Sequence, residues 1–187
     1  MRPVRSIWLA GPDVWLPDSQ AQAARQRAYC IDAGFTGLTP DPVPPGSEQS
    51  SELEARELYA ARMARLRQAD AGLVNLTPWR GPSADPGAAF EIGVLAGLGR
   101  PIFAYLNVPD ESQAEYVDRV ESFVGAQRDE AGIWRDGDGC VVEDYGLPET
   151  VMLWAEARRL FVIVTSNPLH DLTGLELCLE ALRLYAE

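Results

Sequence analysis

Two carboxylates six residues apart, Asp85 and Glu91, carry the chemistry this sequence offers. Glu91 stands inside an otherwise apolar run: Ala88, Ala89, Phe90, Ile92, Val94, Leu95 and Leu98. A glutamate is rarely fully buried without a partner, and burial penalises its charged form. Held in a pocket, such a carboxylate acts as a nucleophile or as a proton donor and acceptor. On the polar side of a surface helix it would do neither, and spacing alone leaves both readings open. Asp85 stands directly before Pro86, the order of a helix N-cap followed by proline at the first helical position.

Other chemistries find little support. The chain has no lysine, all 16 basic residues being arginine, so a phosphate-gripping Walker lysine and a Schiff base are both excluded. The single histidine, His170, has no Cys or His nearby, which argues against His-ligated zinc and a Ser-His-Asp triad. Cys30, Cys140 and Cys178 are odd in number and far apart, read as core or surface thiols rather than metal ligands. No metal and no cofactor are expected. A net charge of −12 opposes binding to a nucleic-acid backbone and suits a neutral small ligand. No apolar run reaches the length of a membrane span, and the N-terminal apolar stretch is too short for a secretory signal, so a cytoplasmic protein is expected.

The elements that must position the carboxylates follow from periodicity. Ala71 to Leu76 reads as a buried strand, and Thr77, Pro78, Gly81, Pro82 and Ser83 form a turn-rich loop before the helix that carries Glu91. Strand, loop and helix N-terminus in that order bring Glu91 near the carboxyl edge of a parallel strand, where open α/β sheets bind ligands. Earlier in the chain, Val4 to Ala10 is a strand, and a helix runs from about Ser19, its expected cap, to Ala33. Phe35 to Leu38 is a second strand, and the proline-rich loop after it, 39–51, is long enough to lie over a pocket. Glu52 to Gln68 is a helix with Leu53, Leu58, Met63 and Leu66 on one side.

Beyond the central helix, which Gly97-Leu98-Gly99 ends, Pro101 to Leu106 is a strand. Residues 107–145 suggest a helix and then a hairpin around the DGDG at 136–139. Pro148 to Leu160 has helical spacing, with Val151, Leu153, Trp154 and Ala157 inward. Phe161 to Val164 is a short buried strand, and a helix from about Asp171 to Tyr185 closes the chain. Strands alternating with helices predict an α/β fold in one domain spanning 1–187. Its mainly parallel sheet of about five strands is flanked by helices in a three-layer sandwich of the flavodoxin or Rossmann kind.

The segment NLTPWRGPSADPGAAFEIG, residues 75–93, resembles the signature of the nucleoside 2-deoxyribosyltransferase family. IWLAGPDVW at 7–15 resembles that family's first strand and loop, GFTGLTPD at 34–41 the end of its second strand, and GLPETVML at 146–153 its tail motif. The matches keep the family's order and span about residues 5 to 155. The central one is long and specific; the outer three are weaker.

The resemblance implies transfer of 2-deoxyribose between a deoxynucleoside and a free nucleobase. Glu91 matches the nucleophile that attacks the anomeric carbon, and Asp85 the second aspartate, which contacts and positions the substrate. An N-cap role for Asp85 is compatible with that one. Trp8, Gly11 and Trp15 fall on the strand and loop implied to form part of the nucleobase pocket, with Trp8 and Trp15 also readable as core, and Asp41 is implied to bind substrate. Arg80, Gly81 and Ser83 shape the loop over the sugar, with Arg80 a structural clamp. Gly87 suits a close approach to the sugar or plain helix packing. Members assemble so that one subunit's tail completes another's site, which implies a homo-oligomer, at least a dimer. Related proteins of similar fold hydrolyse nucleosides or nucleoside 5′-monophosphates, and a non-catalytic nucleoside-binding relative is the remaining alternative.

Two positions depart from the family. Arg62 replaces an asparagine or aspartate, putting a permanent cation where a base-reading residue is expected. Facing the pocket, it would change base preference or pair with Glu91 or Asp85; facing out, it would be an ordinary surface arginine. Thr150 stands where the family has an asparagine that reaches into a neighbouring subunit, and its hydroxyl has a shorter reach.

Overall fold

The computed structural model describes residues 3–41 and 51–186. Five parallel strands form the main sheet: β1 (Ser6–Ala10), β2 (Thr36–Leu38), β3 (Ala71–Asn75), β4 (Ile102–Val108) and, last in the chain, the strand Arg159–Val164. A two-stranded antiparallel ribbon, β5 (Gln127–Arg128) and β6 (Trp134–Arg135), stands apart, which makes Arg159–Val164 β7. The order across the sheet is β2-β1-β3-β4-β7, every pair parallel. From β1 the chain steps one way to β2 and then returns to β3 on the other side. That reversal between β1 and β3 opens a crevice at their carboxyl ends.

Helices cover both faces. On one lie α1 (Ser19–Asp32) and the chain's last helix, Thr173–Ala186; on the other lie α2 (Glu52–Leu66) and α3 (Pro86–Gly97). Alternate residues of each strand face opposite layers. Ile7, Leu9 and Leu73 pack with Cys30, Cys178 and Leu182, whereas Trp8, Ala10 and Val74 pack with Leu66, Ile92 and Leu95. The short helices α4 (Tyr116–Val124) and α5 (Val151–Glu156) complete the set, so Thr173–Ala186 is α6. Among the described residues no helix is long and apolar enough to cross a membrane.

Several boundaries differ from the periodicity. Asp18, not Ser19, is the N-cap residue of α1, with no side-chain capping bond. Leu53 on α2 is exposed and Leu58 half-buried, while Met63 and Leu66 are buried, because only the last turns of α2 reach the sheet. The helix expected over 148–160 is only Val151–Glu156: Leu160 is paired with Ala104, and the extended run of β7 begins at Arg159. Phe161–Val164 is not buried throughout. β7 is an edge strand, and Val162 and Val164 lie on the face of Leu160, beyond the reach of α5. The loop segment 42–50, expected over the pocket, lies outside the described residues.

Candidate active site

Glu91 is placed by tight helix-to-sheet packing. Gly72 of β3 leaves room for Leu95, whose Cδ1 would lie 2.6 Å from a Cβ at that position. Leu95 is one turn after Glu91, so the same close approach presses the glutamate onto the sheet. Glu91 is 1% exposed, and each carboxylate oxygen has a partner. The indole Nε1–H of Trp8, from the centre of β1, donates to Oε2 at 3.0 Å. Arg62, from α2, donates through Nε to Oε1 and forms an ion pair there. A buried carboxylate needs such partners. Arg62 therefore faces inward and pairs with Glu91, one of the two inward outcomes the sequence left open. Trp8 has no accessible surface, so it offers no wall to a base and meets the site only through Glu91.

Asp85 caps α3 as expected. Its Oδ2 accepts from the Ala88 N–H at 2.9 Å, and Pro86 occupies the first helical position. Its Oδ1 accepts from the indole N–H of Trp15 at 3.0 Å. Gly87 has a steric reason here: a Cβ on it would lie 2.8 Å from Asp85 Oδ2. Trp15 is 39% exposed, and with Trp79 it flanks Arg80, whose guanidinium lies 5.8 Å and 5.2 Å from the two ring centroids. Such spacing is that of cation–π contacts. Arg80 has φ 55°, a left-handed turn that directs the loop from Trp79 into Gly81.

Among the described residues, the remaining expected ones make no side-chain hydrogen bond to Glu91 or Asp85. Gly11 follows β1, and a Cβ there would meet Asn75 Cβ at 2.6 Å, so the loop passes close over β3 only as glycine. Ser83 donates its hydroxyl to Glu149 at 2.8 Å. Thr150 gives its backbone N–H to the same carboxylate at 2.8 Å, and its side chain makes no capping bond to α5. Asp41 pairs with Arg65. Asp41 and Gly11 border a cavity of about 390 Å³ between α1 and the β1–β2 edge, together with Asp13, Gln26 and Arg27. Neither Glu91 nor Asp85 lines it. No group of three or more metal-ligating side chains converges among the described residues.

Three buried charged groups near the site were not singled out from the sequence. Asp13 is held by Asn75 Nδ2 at 3.0 Å and Gln22 Nε2 at 3.3 Å, and burial pushes its carboxyl above the ordinary range. Glu149 and Arg119 form an ion pair beneath the loop that leads to Asp85. Burial holds Arg119 below the usual arginine range, with the Glu149 charge opposing that shift. Their side chains are ordinary in type and lie in charged, turn-rich stretches. Only the tertiary contacts single them out.

The family pattern described as nucleoside 2-deoxyribosyltransferase matches residues 7–152, which include Trp8, Arg62, Asp85, Glu91 and Thr150. A 2-desoxiribosyltransferase from Leishmania mexicana is similar in structure, with a TM-score of 0.58 and 28% identity over 80% of this chain and 85% of that one. An uncharacterised protein of Schizosaccharomyces pombe is 27% identical over 162 residues, 80% of this chain and 75% of its own length. A conserved protein from Enterococcus faecalis V583 shares the fold, with a TM-score of 0.52 and 17% identity over 95% of this chain and 98% of that one. The segments that build the Glu91 and Asp85 centre thus fall within one continuous family match, and the chain belongs to the nucleoside 2-deoxyribosyltransferase family.

Proposed function

We propose that this protein transfers 2-deoxyribose between nucleobases through a deoxyribosyl ester of Glu91. One observation carries the reading: a carboxylate 1% exposed, on the helix that follows β3, oriented by a donor on each oxygen. Cleavage of an N-glycosidic bond passes through a transition state of oxocarbenium character, and a carboxylate opposite the base captures it covalently, as in retaining glycosidases. A Glu91 oxygen bonds to the anomeric carbon as the carbon–nitrogen bond breaks, and the electron pair leaves with the base, which takes up a proton from an acid or from water. A second base then attacks the same carbon from the vacated side, restoring the β configuration and freeing Glu91.

Asp85 positions the sugar in this scheme while capping α3. Gly11, Trp15, Asp41 and Arg80 contact the deoxynucleoside and the incoming nucleobase, with Gly81, Ser83 and Gly87 shaping the loop. Thr150 replaces the tail asparagine, in its own site or a neighbour's within a homo-oligomer of at least two copies. The exposed Val162 and Val164 on the edge strand are compatible with such an assembly. Residues 1–187 act as one domain, placed in the cytoplasm, with neither cofactor nor nucleic acid required.

The test is base exchange. Thymidine or deoxyinosine is incubated with free adenine, and products are separated by chromatography beside Glu91→Ala. New deoxyadenosine from the wild type and none from the variant supports transfer and its nucleophile together. Free base without a new nucleoside means an N-glycosidase, for which the 5′-monophosphates are the next substrates. Ligand binding without turnover would mean a non-catalytic relative.

A further inference from the structure

Arg62 stands one turn before the buried Leu66 on α2, and its side chain is 17% exposed beside a Glu91 side chain that is 2% exposed. Its Nε–H is donated to Glu91 Oε1. Its other N–H donors have no hydrogen-bond partner among the described residues. Trp8 holds Oε2, but with a neutral donor. The full interaction with Arg62 therefore depends on one condition: Glu91 must carry its charge.

That condition changes during the reaction proposed above, on which this inference rests. Bond formation from a Glu91 oxygen to the anomeric carbon turns the carboxylate into a neutral ester, while the electron pair of the broken carbon–nitrogen bond goes to the departing base. Arginine stays protonated throughout. It is then a mostly buried cation with no ion-pair partner among the described residues, a state that costs stability because a buried charge is left uncompensated. Attack by the acceptor nitrogen breaks the carbon–oxygen bond and returns its electrons to Glu91, restoring the pair, while the acceptor base gives up its N–H proton to solvent. The oxocarbenium-like transition states on either side retain most of the carboxylate charge. The penalty therefore falls on the intermediate more than on the barriers, and differential binding of this kind sets rates.

We propose that Arg62 is a catalytic residue that destabilises the glycosyl-enzyme, hastening its breakdown and keeping it from accumulating. Arg62 thus acts on how long the sugar stays on Glu91, and so on the time in which water competes with an acceptor base.

The experiment supplies deoxyinosine or thymidine without acceptor, quenches in acid, and measures by intact-mass spectrometry the fraction of protein carrying one deoxyribosyl unit. Peptide mapping locates the adduct, and Glu91→Ala serves as blank. Arg62→Gln is expected to carry more adduct than the wild type by about tenfold to a hundredfold, the equilibrium equivalent of one charged hydrogen bond. Its release of base is expected to show a burst followed by slow turnover. Arg62→Lys keeps the charge on a point donor and is expected to fall between the two, which preserves the test if the glutamine variant does not fold. Adduct no greater in the variants than in the wild type, with base released by all of them, overturns the role given to Arg62. Base released by none of them, from deoxynucleosides or their 5′-monophosphates, overturns instead the reading of Glu91 as nucleophile, and this inference with it.

Discussion

Arg119 and Glu149 face each other at 3.6 Å in a place nearly closed to solvent, with side chains 3% and 0% exposed. The guanidinium donates to three separate stretches of backbone: Pro82 O at 2.7 Å, Pro148 O at 2.6 Å and Gln113 O at 2.9 Å. Glu149 accepts from Ser83 Oγ at 2.8 Å and from the Ala84 N–H at 3.2 Å. The pair thereby joins the segment just before Asp85 to the segment just before Thr150. Neither charge belongs to the Glu91 centre, but one of the joined segments leads directly into Asp85.

Glu149→Gln should destabilise the protein by about 3 kcal/mol, because removing one partner leaves Arg119 buried without a counter-charge. Urea unfolding followed by far-ultraviolet circular dichroism measures it. Under conditions where the variant is folded, KM for the nucleoside should rise more than kcat falls, since Glu149 sets the loop and not the reacting atoms. An unchanged unfolding midpoint would remove the clamp from the account.

Trp8→Phe removes the indole N–H and leaves Glu91 Oε2 without its donor while keeping an aromatic ring in the core. The cost to stability should be about 1–3 kcal/mol, that of an unsatisfied buried acceptor. Turnover should fall by about tenfold, the equivalent of one lost hydrogen bond at the proposed nucleophile. Equal kcat in variant and wild type would mean that Trp8 only fills space.

Asp13 offers a pH test. Burial raises its carboxyl above the ordinary 3.8, against the bonds from Asn75 and Gln22. The folded state therefore holds this proton more tightly than the unfolded chain does. Its stabilising contribution is complete below the unfolded value, declines as pH rises through the folded value, and is absent above it. Asp13→Asn cannot ionise, so the difference in Tm between variant and wild type should shift in the variant's favour as pH rises through that window. A difference that stays constant with pH would contradict the burial argument.

Gly174→Ala is a control on the opposite face of the sheet. A Cβ there would lie 2.5 Å from the ring of Tyr105, so overpacking should cost about 1–3 kcal/mol. Specific activity of the folded variant should match the wild type, because Glu91 lies in the other layer. Lost activity at full folding would show that the two layers are coupled.

What the sequence made legible was what is local. Asp85 followed by Pro86 and an apolar period is cap chemistry within one helix, and the cap is present as read. Apolar strands alternating with helices are also local patterns, and the parallel sheet follows from them. The partners of Glu91 are not local: Arg62 is 29 residues away and Trp8 is 83. Composition says nothing about which arginine of 16 turns inward. Residues 148–160 show the converse error. Leu153, Trp154 and Ala157 have helical spacing, but pairing with β4 claims the chain from Arg159 onward, and non-local pairing prevails over the period.

The reversal of strand order between β1 and β3 has a consequence for folding. One donor to Glu91 comes from β1, the other from α2, and Glu91 itself from the helix after β3. None of these contacts can form within a single β-helix-β unit, so a half-assembled chain has the residues but not the site. Catalysis on refolding should therefore return last and all at once, in step with closure of the sheet's centre, and a nascent chain would remain inert toward nucleosides until β3 and α3 had docked.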